Sequence, residues 1–313
     1  MTGPPDPTSF LARREHLAVA GSTNDVVRAW LADGTPEVCL ATADHQTEGR
    51  GRDGRTWTTP PTPGAALLAS LGFRPAYLDP DRTWRLAAIV SLAMADAAED
   101  VAGLQDRTVR LKWPNDLVVE VGGPWAPLRG ELTAERARAL RDGPVDVRKL
   151  GGVLGETDGL GTADPRVVVG IGVNADWAAT DFPTDLAGPA GMTSLREASG
   201  GRPIDTGALL DAFLTRLEVR HDLLRRGRFD AADWADRQLT SDRPVRLEHA
   251  DGSAETVTAR GVDALTGALV VEDADGHERH VVTGEIRHVR LADPASAAGP
   301  ATADPAAPAR AGV

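Results

Sequence analysis

The stretch EGRGRDGRTW carries residue types that could bind an anion. Its glycines Gly49, Gly51 and Gly54 match the G-x-G-x-x-G pattern of dinucleotide-binding turns. In such a turn the glycines follow a strand and open a helix, and an acidic residue comes ~20 positions later. Here the chain continues with proline and β-branched residues, which do not propagate a helix, and residues 65–76 contain no acidic residue. The pattern therefore does not predict a dinucleotide-binding turn.

The arginines between those glycines are the more informative residues. Arg50, Arg52 and Arg55 each present a rigid fork of donors that suits phosphate and carboxylate oxygens. The glycines allow the backbone to fold closely around a ligand. We therefore expect a loop that closes over an anionic ligand, excludes water and stabilises charge in a phosphoryl transition state. The alternative is a solvated surface loop.

A second candidate is the sequence KWPND, which begins at Lys112. The Pro-Asn-Asp part favours a tight turn between two strands, and many such turns have no further role. A lysine among apolar strand residues needs a partner for its ammonium group. Strand alternation places Arg110 and Lys112 on one face and Leu111 on the other. An anionic ligand is a natural partner for that face.

Other polar and glycine-rich positions could complete a site. Gly151 and Gly152 lie in KLGGVLGE, and paired glycines in a strand are tolerated where a ligand or another backbone comes close. The strand-like VVVGIGVN ends at Asn174. Ser22 reads first as a helix N-cap, with a ligand role only if the helix start faces the pocket. Gln46 could bind a polar ligand edge with one donor and one acceptor.

These residues need secondary structure to position them. Ser22 predicts the start of a helix over residues 24–32, and Gly34 predicts its end. Hydrophobic periodicity predicts further helices and strands in the first three quarters of the chain. The helices are expected at residues 81–101, 205–226 and 229–238, and the strands at residues 38–43, 65–73, 109–113, 117–121, 149–156 and 167–174.

The pattern changes after Ser241. Short strands separated by Asp-Gly and Thr-Gly turns predict a small barrel-like β module. They are expected at residues 245–249, 255–262, 268–271, 278–282 and 285–290. The predicted organisation is a flexible lead at 1–14, a domain at 15–240 with an insertion at 122–148 that holds a short helix near 132–140, the module at 241–291, and a disordered Ala/Pro tail at 292–313.

Composition narrows the class of protein. The chain has 313 residues, 42% of them hydrophobic, and a formal net charge of −12, which argues against general nucleic-acid binding. A single cysteine, Cys39, excludes an intramolecular disulfide or a cysteine-cluster metal site. There is no apolar run long enough to span a bilayer, and the N-terminal residues do not form a signal peptide. We expect a cytoplasmic protein.

Together the motifs resemble those of the biotin protein ligases, the biotin–acetyl-CoA-carboxylase ligases. GSTN, GRGRDGRTW, KWPND, KLGGVLGE and GIGVN occur in the order typical of that family, and the resemblance covers residues 17–291. It implies an α+β catalytic domain similar to class II aminoacyl-tRNA synthetases, with a mixed sheet and flanking helices, followed by an SH3-like β-barrel. It also implies that biotin and ATP form biotinyl-5′-AMP, with Mg²⁺ escorting the ATP. Biotin then passes to a lysine of a biotin carboxyl carrier domain of an acyl-CoA or pyruvate carboxylase.

The resemblance also implies roles for individual residues. The positions that match biotin-binding residues are Ser22, Thr23, Asn24, Gln46, Arg50, Gly51, Arg52 and Lys112. Lys112 and Arg52 are expected to act in catalysis, because they would lie beside biotin's carboxylate, the α-phosphate and the adenylate. The positions in family motifs near the nucleotide are Arg55, Trp57, Asn115, Lys149 and Asn174. The carboxylate that would bind Mg²⁺ is not identified.

The sequence differs from the family pattern at two places, and two alternative functions remain open. About 20 residues precede GSTN, too few for the DNA-binding domain of ligases that are also repressors, so no DNA partner is expected. The insertion at residues 122–148 is expected to bulge at the surface. The alternatives are a lipoate- or octanoyl-transferring relative and a non-enzymatic biotin-binding regulator. A monomer and a weak homodimer both remain open.

Overall fold

The computed structural model describes residues 10–120, 147–183, 191–283 and 286–291. Residues 1–9 of the predicted lead, residues 122–146 of the predicted insertion and the predicted tail at residues 292–313 lie outside the described residues. The predicted helix near residues 132–140 lies outside them as well.

The first part of the chain is built on a seven-stranded mixed sheet. Its strands are β1 (Arg13–Ala20), β2 (Cys39–Gln46), β3 (Ala66–Phe73), β4 (Val109–Lys112), β5 (Asp116–Glu120), β6 (Val147–Asp158) and β7 (Arg166–Asn174). They are ordered β1-β2-β3-β7-β6-β5-β4. Only the β1–β2 pair is parallel among the described pairs, and β4 and β5 form the hairpin that KWPND predicted. The mixed sheet expected from the family resemblance is therefore confirmed.

Helices pack on both faces of this sheet. They are α1 (Thr23–Ala32), α2 (Trp84–Ala102), α3 (Leu195–Ala198), α4 (Thr206–Arg225) and α5 (Ala231–Asp236). Because α2 and α4 pack together and share the main hydrophobic core with alternate residues of β3, β6 and β7, they cover one face. Helix α1 contributes to a smaller core on the opposite face, where Val27 and Leu31 lie among Cys39 and Ala41 of β2. None of the helices in the described segments is long and apolar enough to cross a membrane.

Strand β7 leaves space on the face that carries α1. Val169, Ile171 and Val173 belong to the main core, so strand alternation turns Gly170 and Gly172 toward the opposite face. These two positions have no side chain to fill the surface beside α1. The sheet therefore offers a depression where the candidate motifs meet.

A second sheet follows in the chain. Its strands are β8 (Arg243–His249), β9 (Ala254–Val262), β10 (Leu269–Glu272), β11 (Glu278–Val281) and β12 (Ile286–Leu291), in the antiparallel order β11-β10-β9-β8-β12. All five predicted strands of the C-terminal module are present. Trp113, from the turn between β4 and β5, is 2% exposed and lies in the core of this module. Its indole Nε1 donates to the carbonyl oxygen of Gly267 at 3.0 Å, so the two sheets are packed together.

Two features near the start of the chain differ from the sequence predictions. Strand β1 was not predicted, and it begins at Arg13, inside the predicted flexible lead. The first half of its sequence RREHLAVA is polar and most of the strand is exposed, as is typical of an edge strand, and β1 pairs only with β2. Ser22 does occupy the N-cap of α1, but its side chain makes no capping hydrogen bond. The side chain of Gln46 accepts instead from the first backbone N–H of the helix, that of Thr23.

Candidate functional site

A cleft lies over the glycine positions of β7. It contains about 970 Å³ of space, part of it open to solvent, between the start of α1, the arginine loop, the β4–β5 turn and strand β6. All predicted site residues except Asn174 line it. They are Ser22, Thr23, Asn24, Gln46, Arg50, Gly51, Arg52, Arg55, Trp57, Lys112, Asn115 and Lys149. Residues from four sequence motifs and Gln46 thus meet in one place, and Gly170 and Gly172 of GIGVN lie in the same lining.

The start of α1 forms a buried polar cluster at one side of the cleft. The Oε1 of Gln46 accepts from the backbone N–H of Thr23 at 2.8 Å and from its hydroxyl at 3.1 Å. The Ser70 hydroxyl lies 2.7 Å from Thr23 Oγ1 and 2.6 Å from Asn24 Oδ1, so its single proton can serve either acceptor. Asn24 Nδ2 donates to Glu156 Oε2 at 2.7 Å. The cluster therefore holds its donors and acceptors in fixed positions before a ligand arrives.

The floor of the cleft requires glycine. A Cβ at Gly172 would lie 2.7 Å from two ring atoms of Trp57, and one at Gly170 would collide with the side-chain amide of Asn24. Gly151 does not line the cleft, but a Cβ there would lie 2.6 Å from the carbonyl oxygen of Gly172 in the neighbouring strand. This close approach was predicted for the glycines of KLGGVLGE but not for those of GIGVN. The available signal was the alternation of glycine with valine and isoleucine along β7.

The arginine loop is a small hairpin, which we call the lid (residues 49–57). An antiparallel bridge joins Arg50 to Thr56, and the N–H of Trp57 donates to the Gly49 carbonyl at 2.9 Å. Its tip is a single 3₁₀ turn, Arg52–Gly54. No α-helix follows strand β2 before β3 begins, which confirms that the glycine pattern is not a dinucleotide-binding turn.

The first two lid arginines are bonded to protein groups. Arg50 donates through Nη1 and Nη2 to the two carboxylate oxygens of Asp25, each at 2.7 Å. The hydrogen bond with Asp25 raises the pKa of Arg50 above its ordinary value, although burial opposes this. Arg52 Nη2 donates to the carbonyl oxygens of Thr283 and Ile286, both at 2.9 Å. Burial lowers the pKa of Arg52. The lid is therefore tied to α1 at its base and to the C-terminal module at its tip.

Two lysines share one carboxylate on the far side of the cleft. Lys149 Nζ lies 2.6 Å from Asp116 Oδ1, and Lys112 Nζ lies 3.9 Å from Asp116 Oδ2. Burial lowers the pKa of Lys112, and nearby Lys149 adds to this effect while Asp116 opposes it. Arg110 shares the face of Lys112 as predicted, but it donates to backbone carbonyls of residues 236–238 rather than facing the cleft. Asp116 was quoted within KWPND without a role, and the structure places it at the centre of the positive charge.

The two predicted asparagines have different surroundings. Asn115 lines the cleft, and its Nδ2 donates to the carbonyl of Val153 at 3.1 Å, which ties the β4–β5 turn to β6. Asn174 is fully buried and is not among the residues that line the cleft, and its expected place near the nucleotide stays a prediction. Its Nδ2 donates to the Thr193 carbonyl at 3.0 Å, because the chain near Thr193 packs over the end of β7. That segment is also joined to β6 by a bridge between Lys149 and Met192.

Comparison with known proteins identifies the family. Residues 17–174 match the Biotin/lipoate A/B protein ligase family, and residues 240–289 match the Biotin protein ligase C terminal domain. The chain belongs to the biotin protein ligase family. Membership makes the chain a ligase, and the C-terminal match identifies the second sheet as the SH3-like domain of these enzymes. The family and the fold expected from the motifs are thereby confirmed.

Named relatives and solved structures agree with this assignment. The biotin--[acetyl-CoA-carboxylase] ligase of Mycobacterium tuberculosis is 30% identical over 277 residues, which cover 88% of each chain. The bifunctional ligase/repressor BirA of Escherichia coli is 27% identical over 273 residues, which cover 86% of this chain and 72% of BirA. The Aquifex aeolicus biotin protein ligase in complex with biotin and ATP superposes with a TM-score of 0.65 at 22% identity, over 90% of this chain and 99% of that one. At that identity the superposition supports the fold alone.

Proposed function

We propose that this ligase attaches biotin to a protein lysine in two steps that share the cleft. In the first step an oxygen of biotin's carboxylate forms a bond to the α-phosphorus of ATP. The bond between that phosphorus and the β-phosphate bridging oxygen breaks, and pyrophosphate leaves. In the second step the amine of a carrier lysine attacks the acyl carbon of biotinyl-5′-AMP. The acyl–phosphate bond breaks, AMP leaves, and the nitrogen loses a proton as the amide forms.

The observation that carries this proposal is the pairing of Lys112 and Lys149 beneath the arginine lid. Two anions, a carboxylate and a triphosphate, must come together in the first step, and cationic groups offset their repulsion. Both ammonium groups lie close to Asp116, which keeps them in position before the substrates bind. Lys112 is the group proposed to stabilise the charge that develops between the carboxylate and the α-phosphate. Its partly buried setting strengthens that interaction.

The polar cluster at α1 is proposed to bind the ureido ring of biotin. That ring has two N–H donors and one carbonyl acceptor, and the cluster offers both kinds of group through Thr23, Asn24 and Gln46. The glycines of the floor let the Trp57 ring and the Asn24 amide lie directly against the sheet, where they can face a ligand. Trp57 lies over that floor and supplies an aromatic surface suited to the nucleotide base.

Mg²⁺ is proposed as the escort of the ATP phosphates. Among the described residues that line the cleft, Asp116 is the only carboxylate. Mg²⁺ in nucleotide sites is commonly bound by phosphate oxygens, waters and one or two carboxylates. Asp116 therefore fits as the single protein ligand, and the metal would offset phosphate charge.

The acceptor is proposed to be a biotin carboxyl carrier domain. The Mycobacterium tuberculosis relative is named for acetyl-CoA carboxylase, which supports an acceptor of that kind. A cytoplasmic location, the absence of a DNA partner, and a monomeric or weakly dimeric state stay predictions from the sequence.

An assay with Mg-ATP, biotin and an apo carrier domain tests the proposal. We expect pyrophosphate release that depends on biotin, biotinyl-AMP in the absence of carrier, and streptavidin-detectable carrier in its presence. A carrier whose acceptor lysine is replaced by arginine is the matched control and should remain unlabelled. Biotin binding without pyrophosphate release would refute the proposal and favour a regulator. Labelling by lipoate in preference to biotin would refute the substrate assignment.

A further inference from the structure

The base of the lid is held by charged side chains that were not among the site residues predicted from the sequence. The carboxylate of Asp25 accepts hydrogen bonds from Nη1 and Nη2 of Arg50, and Glu156 Oε1 lies 3.5 Å from Arg50 Nη2. Glu156 also accepts from Asn24 and pairs with Arg28 at 2.8 Å. Arg28 pairs with Asp25 at 2.8 Å as well. The group connects the lid, helix α1 and strand β6.

This arrangement differs from an ordinary surface ion pair. The Arg50 and Asp25 side chains are 34% and 44% exposed, so a single contact between them would contribute little. Such pairs do constrain a structure when the arginine–carboxylate contact is bidentate and when the pair belongs to a larger network of charges. Both conditions hold here, since Glu156 joins the pair to the buried polar cluster through Asn24.

The position of Arg50 in the hairpin transmits this constraint to the cleft. Arg50 is bridged to Thr56, and Trp57 is the next residue along the chain. Trp57 lies against Gly172 and Gly152 in the floor. Holding Arg50 therefore also holds the strand of the lid that places the indole.

We propose that Asp25 and Glu156 are positioning residues that fix Arg50, so that Arg50 is the anchor of the lid rather than a direct ligand of biotin. The lid tip is held separately, by the bonds of Arg52 to the carbonyl oxygens of Thr283 and Ile286. The inference rests on the proposed function only for what the lid covers, since the anchor itself is a property of the unliganded protein.

Proteolysis of the unliganded protein tests the anchor directly. Trypsin can cut after Arg52 and Arg55, and mass spectrometry can follow each cut separately. In Asp25→Asn we expect both cuts to become about threefold to tenfold faster, a modest change that reflects the partial exposure of the pair. The matched control is Glu272→Gln, which removes a two-fork partner of Arg260 in the C-terminal module and should leave both rates unchanged. Equal lid cleavage in Asp25→Asn and the unaltered protein would overturn the proposal.

Retention of the adenylate gives a second measurement. We expect biotinyl-AMP to dissociate about threefold to tenfold faster from Asp25→Asn, with a raised KM for ATP and a smaller change in kcat. Asp25→Glu should restore much of the retention, because it keeps the carboxylate. If Asp25 acts through Arg50, Arg50→Gln and the double variant should release biotinyl-AMP at the same rate. Fully additive effects of the two substitutions would contradict a shared role.

The two measurements separate this inference from the proposed function. If the unaltered protein forms no biotinyl-AMP, the proposed function fails, and the cleavage rates still decide the anchor. Should Asp25→Asn fail to fold, Arg50→Lys replaces it, since lysine keeps the charge but cannot make the two-fork pair. Unchanged lid cleavage in a folded Arg50→Lys variant would refute the anchor.

Discussion

Replacement of Gly172 by alanine tests whether the floor of the cleft must be free of side chains. The added Cβ would lie 2.7 Å from Cε2 and Cζ2 of the Trp57 ring. Carbon atoms in ordinary contact are separated by about 3.5–4.0 Å, so the indole must move by roughly 1 Å. The backbone of β7 is fixed by pairs with β3 and β6 on both sides, and the lid is held at fewer points. We therefore expect the lid, not the strand, to move.

Because the lid moves more easily than the strand, Gly172→Ala should affect ATP binding more than the free energy of unfolding. Overpacking a closed core costs about 1–3 kcal/mol, and a lid that can lift should keep the loss of unfolding free energy near or below ~1 kcal/mol. A displacement of 1 Å in a binding group can cost up to ~10²-fold in activity. We expect the KM for ATP to rise about tenfold in Gly172→Ala, which corresponds to about 1.4 kcal/mol of binding free energy. The melting temperature should change little.

Gly155 provides a matched control in the neighbouring strand. A Cβ at Gly155 would have no heavy atom within 4 Å outside its chain neighbours, so Gly155→Ala makes the same chemical change without a collision. Initial rates of biotin-dependent pyrophosphate release at varied ATP concentration, together with thermal melts, compare the two variants. Equal KM values for ATP in Gly172→Ala and Gly155→Ala would refute the steric argument. A large loss of stability in Gly172→Ala would mean that the strand rather than the lid absorbs the collision.

Three further predictions concern single side chains. Lys112→Ala should slow biotinyl-AMP formation about 10²-fold without unfolding the protein, and an unchanged rate of pyrophosphate release would rule out the proposed role. Because burial lowers the pKa of Lys112, the unaltered enzyme should lose activity as pH rises through a value below the pKa of an ordinary lysine. The same pyrophosphate assay measures this pH dependence. Ser70→Ala leaves Asn24 with one partner fewer, so the KM for biotin should rise and the free energy of unfolding should fall by about 1–3 kcal/mol in urea titrations. An unchanged KM and unchanged urea unfolding would show that the Ser70 hydroxyl has no such role. Burial lowers the pKa of His221, which bonds to Tyr77, to about 4, whereas the unfolded chain takes up this proton near 6.5. Stability should therefore fall by up to about 3 kcal/mol as pH decreases from 6.5 to 4, and urea unfolding of His221→Gln should lack this part of the pH dependence; identical curves would show that His221 is not responsible.

Much of the fold could be predicted because its elements have strong local signals. The apolar runs of β3 and β7, the periodicity of α2 and the turn at Pro114 all predicted elements that the structure contains. Strand β1 gave no such signal. It lies at the edge of the sheet and its burial is confined mostly to Ala20, so its apolar residues form only the short run LAVA and do not alternate along the strand.

The composition of the cleft was also largely predictable, whereas its internal contacts were not. The cleft positions of Lys112 and Gln46 could be predicted because each residue lies at a fixed spacing from a turn or a strand end within its family motif. The pairing of Arg50 with Asp25 joins residues 25 positions apart, and that of Arg50 with Glu156 joins residues 106 positions apart. Such partners are set by the three-dimensional packing of separate elements, which spacing in one sequence does not encode. The burial of Asn174 could not be predicted for the same reason, since it depends on how the distant segment around Thr193 packs over the end of β7.

The placement of Trp113 has a consequence for how this enzyme can be shortened or recombined. The indole comes from the turn that carries Lys112 and Asp116, but its apolar surroundings come from the C-terminal strands. A truncated chain that ends near residue 240 would leave a large aromatic surface in water beside Lys112 and Asp116. The second module is therefore not a detachable accessory, although the sequence separates it cleanly. A chimera that exchanges it would have to preserve the apolar pocket for this indole and the Gly267 carbonyl oxygen that accepts its hydrogen bond.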